Sequence, residues 1–246
     1  MPTPYPTKEG TLKFRGHDVW YRIVGDKEEP GKLPLLCLHG GPGVPHDYLE
    51  SLEVMSSTGR RVIFYDQLGC GNSAHVDDPS LWTVDLFVEE VDVVRKALGL
   101  DKVHILGQSW GGMLTMQYML TQPKGVASIT IASSPSSMKM WVEEANRLRT
   151  ELPADVQTAL TNHEEAKTTD SPEYLAAMQV FYDRYVCRVV PNPDYVQRAF
   201  AKLGEWPQVY HTMNGPSEFH VVGVIKDWSV TERLGEINVP TLVTTG

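Results

Sequence analysis

Gly107-Gln108-Ser109-Trp110-Gly111 places one hydroxyl between two glycines, each two positions away, with the apolar run Val103-His-Ile-Leu106 before it and Gly112-Met113-Leu114 after. A strand that turns abruptly into a helix at a serine holds that residue in a strained conformation and pushes its hydroxyl out over the sheet. The flanking glycines avoid backbone clashes in so tight a bend. The helix that begins there aims free N–H groups and the positive end of its dipole at the reaction centre, favouring the negative charge that develops when a carbonyl is attacked. The chemistry open to Ser109 is therefore nucleophilic. With Gly and Ser each near about 7% of residues, such a pentapeptide arises by chance in roughly a tenth of chains this long, so the strand and helix around it carry the specificity.

A second glycine cluster, His39-Gly40-Gly41-Pro42-Gly43, closes the apolar run Leu33 to Leu38. A tetrahedral oxyanion needs two donors, and the natural pair is the backbone N–H of Gly41 with that of Trp110, the residue after the nucleophile. The plainer reading is a strand-to-loop turn. A phosphate loop is disfavoured because the Walker pattern with its Gly-Lys-Ser/Thr is absent. In Phe64-Tyr-Asp66-Gln67-Leu-Gly69-Cys70-Gly71-Asn72-Ser73, Asp66 could act as the acid of a triad. It precedes the serine, however, whereas this arrangement takes its partners in the order Ser, acid, His, so a structural role in the loop is expected. Cys70 is expected to be an inert wall residue, since nothing around it argues for a lowered pKa.

The elements that must position these groups follow from hydrophobic pattern. Leu12, Phe14, Val19, Trp20, Tyr21 and Ile23 predict two antiparallel strands about a turn at Gly16-His17-Asp18. Leu33–Leu38, Arg61–Tyr65 and Lys102–Leu106 read as strands buried on both faces, and Ser128–Ala132 as another strand. Apolar residues at 84, 87, 88, 91, 94 and 98 predict a one-faced helix over Val84–Leu98. Strands alternating with helices predict a mostly parallel sheet with ligand sites at the strands' carboxyl ends, where the loops at His39, Asp66 and Gly107 start. Three units are expected: a first part of the core over 1–135, a helical insertion over 136–226, and a return to the core over 227–246. Within the insertion, Ser171 and Asn192 are predicted N-caps with Pro172 and Pro193 at the first helical positions. Leu175, Met178, Tyr182, Tyr185 and Val189 are predicted to form its packing stripe.

Composition narrows the function classes. At 246 residues, 41% hydrophobic and 22% charged, the chain has ordinary globular usage, and a net charge of −9 leaves no broad positive surface for nucleic acid. No basic amphipathic segment argues for a membrane surface. Cys37, Cys70 and Cys187 lack paired spacing, which fits a reducing compartment; with no secretory leader pattern, a cytoplasmic location is expected.

With HGGPG, YDQLGCGNS and GQSWGG in place, the chain resembles the proline iminopeptidase family of serine peptidases, which includes tricorn-associated aminopeptidases and L-amino acid amidases. The likeness continues through Asn146-Arg-Leu-Arg-Thr-Glu-Leu-Pro153, Ser171-Pro-Glu-Tyr174, Met213-Asn-Gly-Pro-Ser-Glu218-Phe219 and Ile225-Lys-Asp-Trp228. It implies an α/β-hydrolase fold with a helical cap. It implies Ser109 as nucleophile, Gly41 and Trp110 as oxyanion donors, and Glu218 as the carboxylate holding the free α-ammonium group of a short peptide or amino acid amide. No metal or organic cofactor is implied. Without the likeness, Glu218 would read as an exposed carboxylate.

One departure stands out, since the sequence stops at Gly246 where the family continues with an acidic loop, a helix and a histidine loop. The resemblance therefore places the catalytic Asp and His beyond residue 246 and makes the 246 residues alone inactive. It makes the chain a segment of a longer protein, or a piece that pairs with the remainder. None of the eight histidines, nor Asp227, stands in a matching position. An esterase or lactonase on the same fold, or a non-catalytic relative, is the alternative reading.

Overall fold

The computed structural model describes residues 4–245. Among them, seven strands form one sheet in the order β1-β2-β4-β3-β5-β6-β7. β1 (Thr7–Phe14) and β2 (His17–Val24) pair antiparallel, with Phe14 opposite His17. The turn is therefore Arg15-Gly16, one position earlier than the pattern indicated, and both residues have positive φ, 47° and 86°. Positive φ at both central residues matches the right-handed twist of the two strands, and glycine supplies the second at no steric cost. β2 pairs antiparallel with β4 (Val62–Tyr65); β4, β3 (Leu35–Leu38), β5 (Val103–Gln108), β6 (Val126–Ala132) and β7 (Thr241–Thr244) are parallel. The mostly parallel sheet matches the predicted fold class.

β3 and β4 are buried along their whole length, as read from sequence. β5 differs: Val103, Ile105 and Gly107 are buried while His104, Leu106 and Gln108 are half-buried. One of its faces packs on helices and the other is covered less fully. On the covered face, α1 (Val84–Ala97) and α2 (Trp110–Met119) press Val91, Val94 and Leu114 against Leu36, Ile63 and Ile105. Each fully buried side chain of this kind contributes about 1.5–3 kcal/mol of transfer free energy. The α1 start is capped by Thr83, whose hydroxyl accepts the Leu86 N–H at 3.2 Å. On the opposite face a 3₁₀ segment, His46–Thr58, lays Leu49 over Cys37, Val62 and Phe64. Its weak apolar periodicity gave no sequence signal.

From β3 the chain crosses to β4 on one side and then, through α1, to β5 on the other. The loops after β3 and β5 therefore diverge at a topological switch point, the place where ligands bind in such sheets. After β6 come five helices without an intervening strand: α3 (Met138–Arg149), α4 (Ala154–Ala166), α5 (Pro172–Tyr185), α6 (Asp194–Glu205) and α7 (Gln208–Met213). They carry a separate core that includes Leu152, Leu160, Tyr174, Phe181 and Phe219.

Two local expectations need correcting there. α5 buries Tyr174, Ala177 and Phe181, with Met178, Tyr182 and Tyr185 beside them, while Leu175 and Val189 are exposed. The buried stripe thus centres on Tyr174, Ala177 and Phe181, shares Met178, Tyr182 and Tyr185 with the expected one, and stops before Val189, which lies past the helix end at Tyr185. Ser171 does cap α5, accepting the Tyr174 N–H at 3.2 Å. α6, however, begins at Asp194 with Pro193 in the cap position, so Asn192 caps nothing. No helix among the described residues is long and apolar enough to cross a membrane.

Candidate active site

Ser109 sits between β5 and α2 with φ 53° and ψ −121°. For a residue with a Cβ this conformation costs on the order of 1–3 kcal/mol, which the surrounding elements must supply. They do so by close approach. A Cβ on Gly107 would strike the Gly111 carbonyl, and one on Gly111 would strike the Leu38 carbonyl, so the bend is tight against itself and against the end of β3. The Ser109 N–H donates to the Ala132 carbonyl at 2.9 Å, and Ser134 Oγ donates to the Ser109 carbonyl at 2.8 Å. Both bonds fix the bend to the end of β6. Among the described residues the Ser109 hydroxyl has no hydrogen-bond partner.

The loop after β3 is held as firmly. Gly41 has φ 110°, a value that favours glycine. The Gly40 N–H donates to Tyr48 Oη at 2.6 Å, and that hydroxyl donates to Gln108 Oε1 at 2.6 Å. Buried His39 accepts the Gln67 N–H at Nε2 (2.9 Å), which places its own proton on Nδ1, 3.0 Å from the Gly40 carbonyl. Burial lowers the His39 pKa, consistent with a neutral ring carrying one donor and one acceptor.

Gly41, Ser109, Trp110 and Glu218 line one cleft, together with Met138, Trp141 and Asn214. The four residues singled out from sequence thus meet at one place, 177 positions apart at the extremes. Glu218 arrives there through the insertion. Its neighbour Phe219 is buried with a centroid distance of 4.7 Å to Phe181, and Arg149 stacks over it at 4.7 Å. Trp141 Nε1 donates to the Glu218 carbonyl at 2.7 Å, and Asn146 Nδ2 to the Phe219 carbonyl at 3.2 Å. Tyr210 Oη donates to Glu218 Oε1 at 2.7 Å. Among the described residues Oε2 accepts no hydrogen bond. Burial raises the Glu218 pKa, and the Tyr210 bond only partly opposes it. A cation entering the cleft would find a poorly hydrated carboxylate with one oxygen free.

Asp66 faces elsewhere. Its Oδ1 accepts the His46 N–H at 2.9 Å and lies 2.7 Å from His46 Nδ1, while Oδ2 accepts the Asn72 N–H at 2.8 Å. Burial opposes its ionisation, but the nearby His46 ring and these bonds outweigh that and hold the carboxyl at about 2. It is a tie between loops. Cys70 is buried with its thiol pKa pushed up by burial and by Asp66 and Glu90, and it donates to the Gln67 carbonyl at 2.9 Å. Asp227 is exposed at the end of a short 3₁₀ turn. His46, Asp47 and Glu50 bring potential metal-ligand atoms within 4.8 Å of one another. Arg198 and Lys202 of α6 already occupy those carboxylates, at 2.6 Å and 2.9 Å from Asp47 and 2.5 Å from Glu50.

Comparison with known proteins gives the chain's family. Residues 34–219 match the family model described as the alpha/beta hydrolase fold. The chain is 40% identical over 242 residues to a proline iminopeptidase of Lactobacillus helveticus, covering 97% of this chain and 81% of that protein. Among solved structures, VinJ is 46% identical with a TM-score of 0.92, covering 96% of this chain and 80% of that one. The proline iminopeptidase of Mycobacterium smegmatis is 47% identical with a TM-score of 0.87 over the same shares.

Proposed function

The chain belongs to the proline iminopeptidase family of α/β hydrolases, and on that premise we propose that it releases the N-terminal residue, proline being the expected one, from short peptides, amides or arylamides through an acyl-enzyme on Ser109. The observation that carries this reading is the shared cleft, in which a serine at positive φ and the start of a helix faces a carboxylate roofed by the insertion. In this reading residues 136–226 act as a cap over the core.

Substrate enters with its α-ammonium group against Glu218 Oε2 and its carbonyl carbon over the Ser109 hydroxyl. A histidine outside the described residues takes the hydroxyl proton, since none of the eight histidines in the chain reaches it. The attacking oxygen bonds to the carbonyl carbon, the electron pair moves to the carbonyl oxygen, and the backbone N–H groups of Gly41 and Trp110 stabilise the charge. The leaving amine departs with the proton from the base, and water repeats the sequence on the aminoacyl ester. Charge on the substrate amine sets the specificity, because internal peptide bonds offer no cation to the half-buried carboxylate.

The test compares a proline arylamide with its N-acetylated form on the full-length protein. Strong preference for the free amine supports the reading. Equal turnover would instead favour an esterase-like or general amidase site in which Glu218 takes no part.

A further inference from the structure

An oxyanion site made from two chain segments has an engineering requirement that the donors themselves cannot meet. The Gly41 N–H belongs to the loop after β3 and the Trp110 N–H to the first residue of α2, yet both must point at one oxygen within about 2.7–3.1 Å. Something must fix one segment against the other, and the loop after β4 supplies a side chain that reaches both. Gln67 is 1% exposed. Its Nε2 donates to the His39 carbonyl at 3.1 Å, its Oε1 accepts the Trp110 Nε1–H at 2.9 Å, and its backbone N–H donates to His39 Nε2 at 2.9 Å.

We propose that Gln67 is a positioning residue that spans the loop after β3 and the start of α2, setting the separation of the two oxyanion donors. This rests on the oxyanion roles assigned above to Gly41 and Trp110. The span is specific in its chemistry. One end must donate to a carbonyl and the other must accept from an indole, and a primary amide does both in one planar group. His39 relays the restraint one residue further, because its Nδ1–H reaches the Gly40 carbonyl and so turns that peptide toward His39. Phe87 holds the other anchor, meeting the Trp110 ring edge-on at a centroid distance of 5.8 Å. Every member of the chain Gly40, His39, Gln67, Trp110 and Phe87 is buried, so water cannot replace a lost partner.

The experiment uses the full-length protein with Gln67→Met, which keeps the length but offers no hydrogen bond, and Gln67→Glu, which loses the donor when ionised and regains it when protonated. Steady-state kinetics on a proline arylamide and the rate of Ser109 labelling by a fluorophosphonate are read alongside thermal unfolding. Gln67→Met is expected to lower kcat and the labelling rate by about 10- to 100-fold, with KM changed by less than about 3-fold, since displacing a catalytic dipole by a fraction of an ångström costs rate rather than binding. For Gln67→Glu, kcat relative to wild type at the same pH is expected to rise as pH falls, when the protonated carboxyl restores the donor–acceptor pair. Variants that fold and keep kcat within about 2-fold of wild type at every pH overturn the proposal alone. A loss shared equally by kcat and KM, with no recovery of Gln67→Glu at low pH, also overturns it. A wild-type protein that neither turns over substrate nor labels at Ser109 overturns the parent reading first, and this one with it.

Discussion

Replacing Glu218 by Gln removes a charge while keeping the size and one acceptor oxygen, so it isolates what the carboxylate does for a cationic substrate. In the structure Tyr210 Oη holds Oε1 at 2.7 Å and burial disfavours the charge, leaving Oε2 as an acceptor that gains most from an ammonium partner. A hydrogen bond to a charged group contributes about 1.5–3 kcal/mol, which at ~1.4 kcal/mol per decade is about a 10- to 150-fold fall in kcat/KM for a free N-terminal substrate. An N-acetylated substrate has no ammonium group and should lose nothing, so the ratio between the two substrates should collapse by the same factor. The stability effect has the opposite sign. The Glu218 pKa is raised on folding, so the stability this residue permits is fully present below its unfolded value and is lost as pH rises through the folded one. The neutral Gln therefore leaves the protein at least as stable at neutral pH. By the same titration, wild-type affinity for a free-amine substrate should fall as pH drops and the carboxylate takes a proton. The assay is steady-state kinetics on the arylamide pair, with urea unfolding as control. Equal losses on both substrates, or no loss on the free amine, would refute the ammonium clamp.

Three further outcomes follow from other parts of the structure. Tyr48→Phe strands the buried Gly40 N–H and removes the donor to Gln108 Oε1, a penalty of about 1–3 kcal/mol for each unpaired group. Steady-state kinetics should show kcat lowered by about 10-fold or more with a smaller change in KM. Buried Asp47 is neutralised from α6 by Arg198 and Lys202, so Arg198→Met with Lys202→Met should cost about 2–3 kcal/mol in urea unfolding, discounted for the exposure of Arg198. Adding Asp47→Asn should restore much of it. Among the described residues, buried Glu90 has only the Leu68 N–H on Oε1, and burial lifts its pKa from 4.5 to about 8. Stability linked to it is complete below pH 4.5 and declines as pH rises to about 8, by at most about 5 kcal/mol. Glu90→Gln should flatten that slope between unfolding curves taken at pH 5 and pH 8.

The sheet and the serine bend were legible because each rests on local signals: β3 and β4 are continuous apolar runs, and Gly107 and Gly111 are required by close backbone contacts. The helix stripe over 84–98 was legible for the same reason. Elements whose identity depends on distant partners were not. The segment His46–Thr58 has little amphipathic pattern and owes its place to Leu49 packing on β3 and β4. The α5 stripe centres on Tyr174, Ala177 and Phe181 because of the partners it packs on, including Leu160 and Phe219, and Val189 lies past the helix end. Around the site, Tyr210 and Trp141 reach Glu218 from α7 and α3, and Gln67 joins His39 to Trp110 across 28 and 43 positions. No spacing rule marks such contacts in a single sequence. Glu218 itself entered only through family likeness; its half-buried place in the cleft and its raised pKa are physical properties that one-dimensional pattern could not supply.

The central claim is that the hydroxyl at position 109 is the nucleophile. Intact-mass analysis of the full-length protein after treatment with a fluorophosphonate, followed by peptide mapping, addresses it in one step. A single adduct on Ser109, absent from Ser109→Ala, is the expected result. An unmodified wild-type protein, or an adduct that persists in Ser109→Ala, would contradict it.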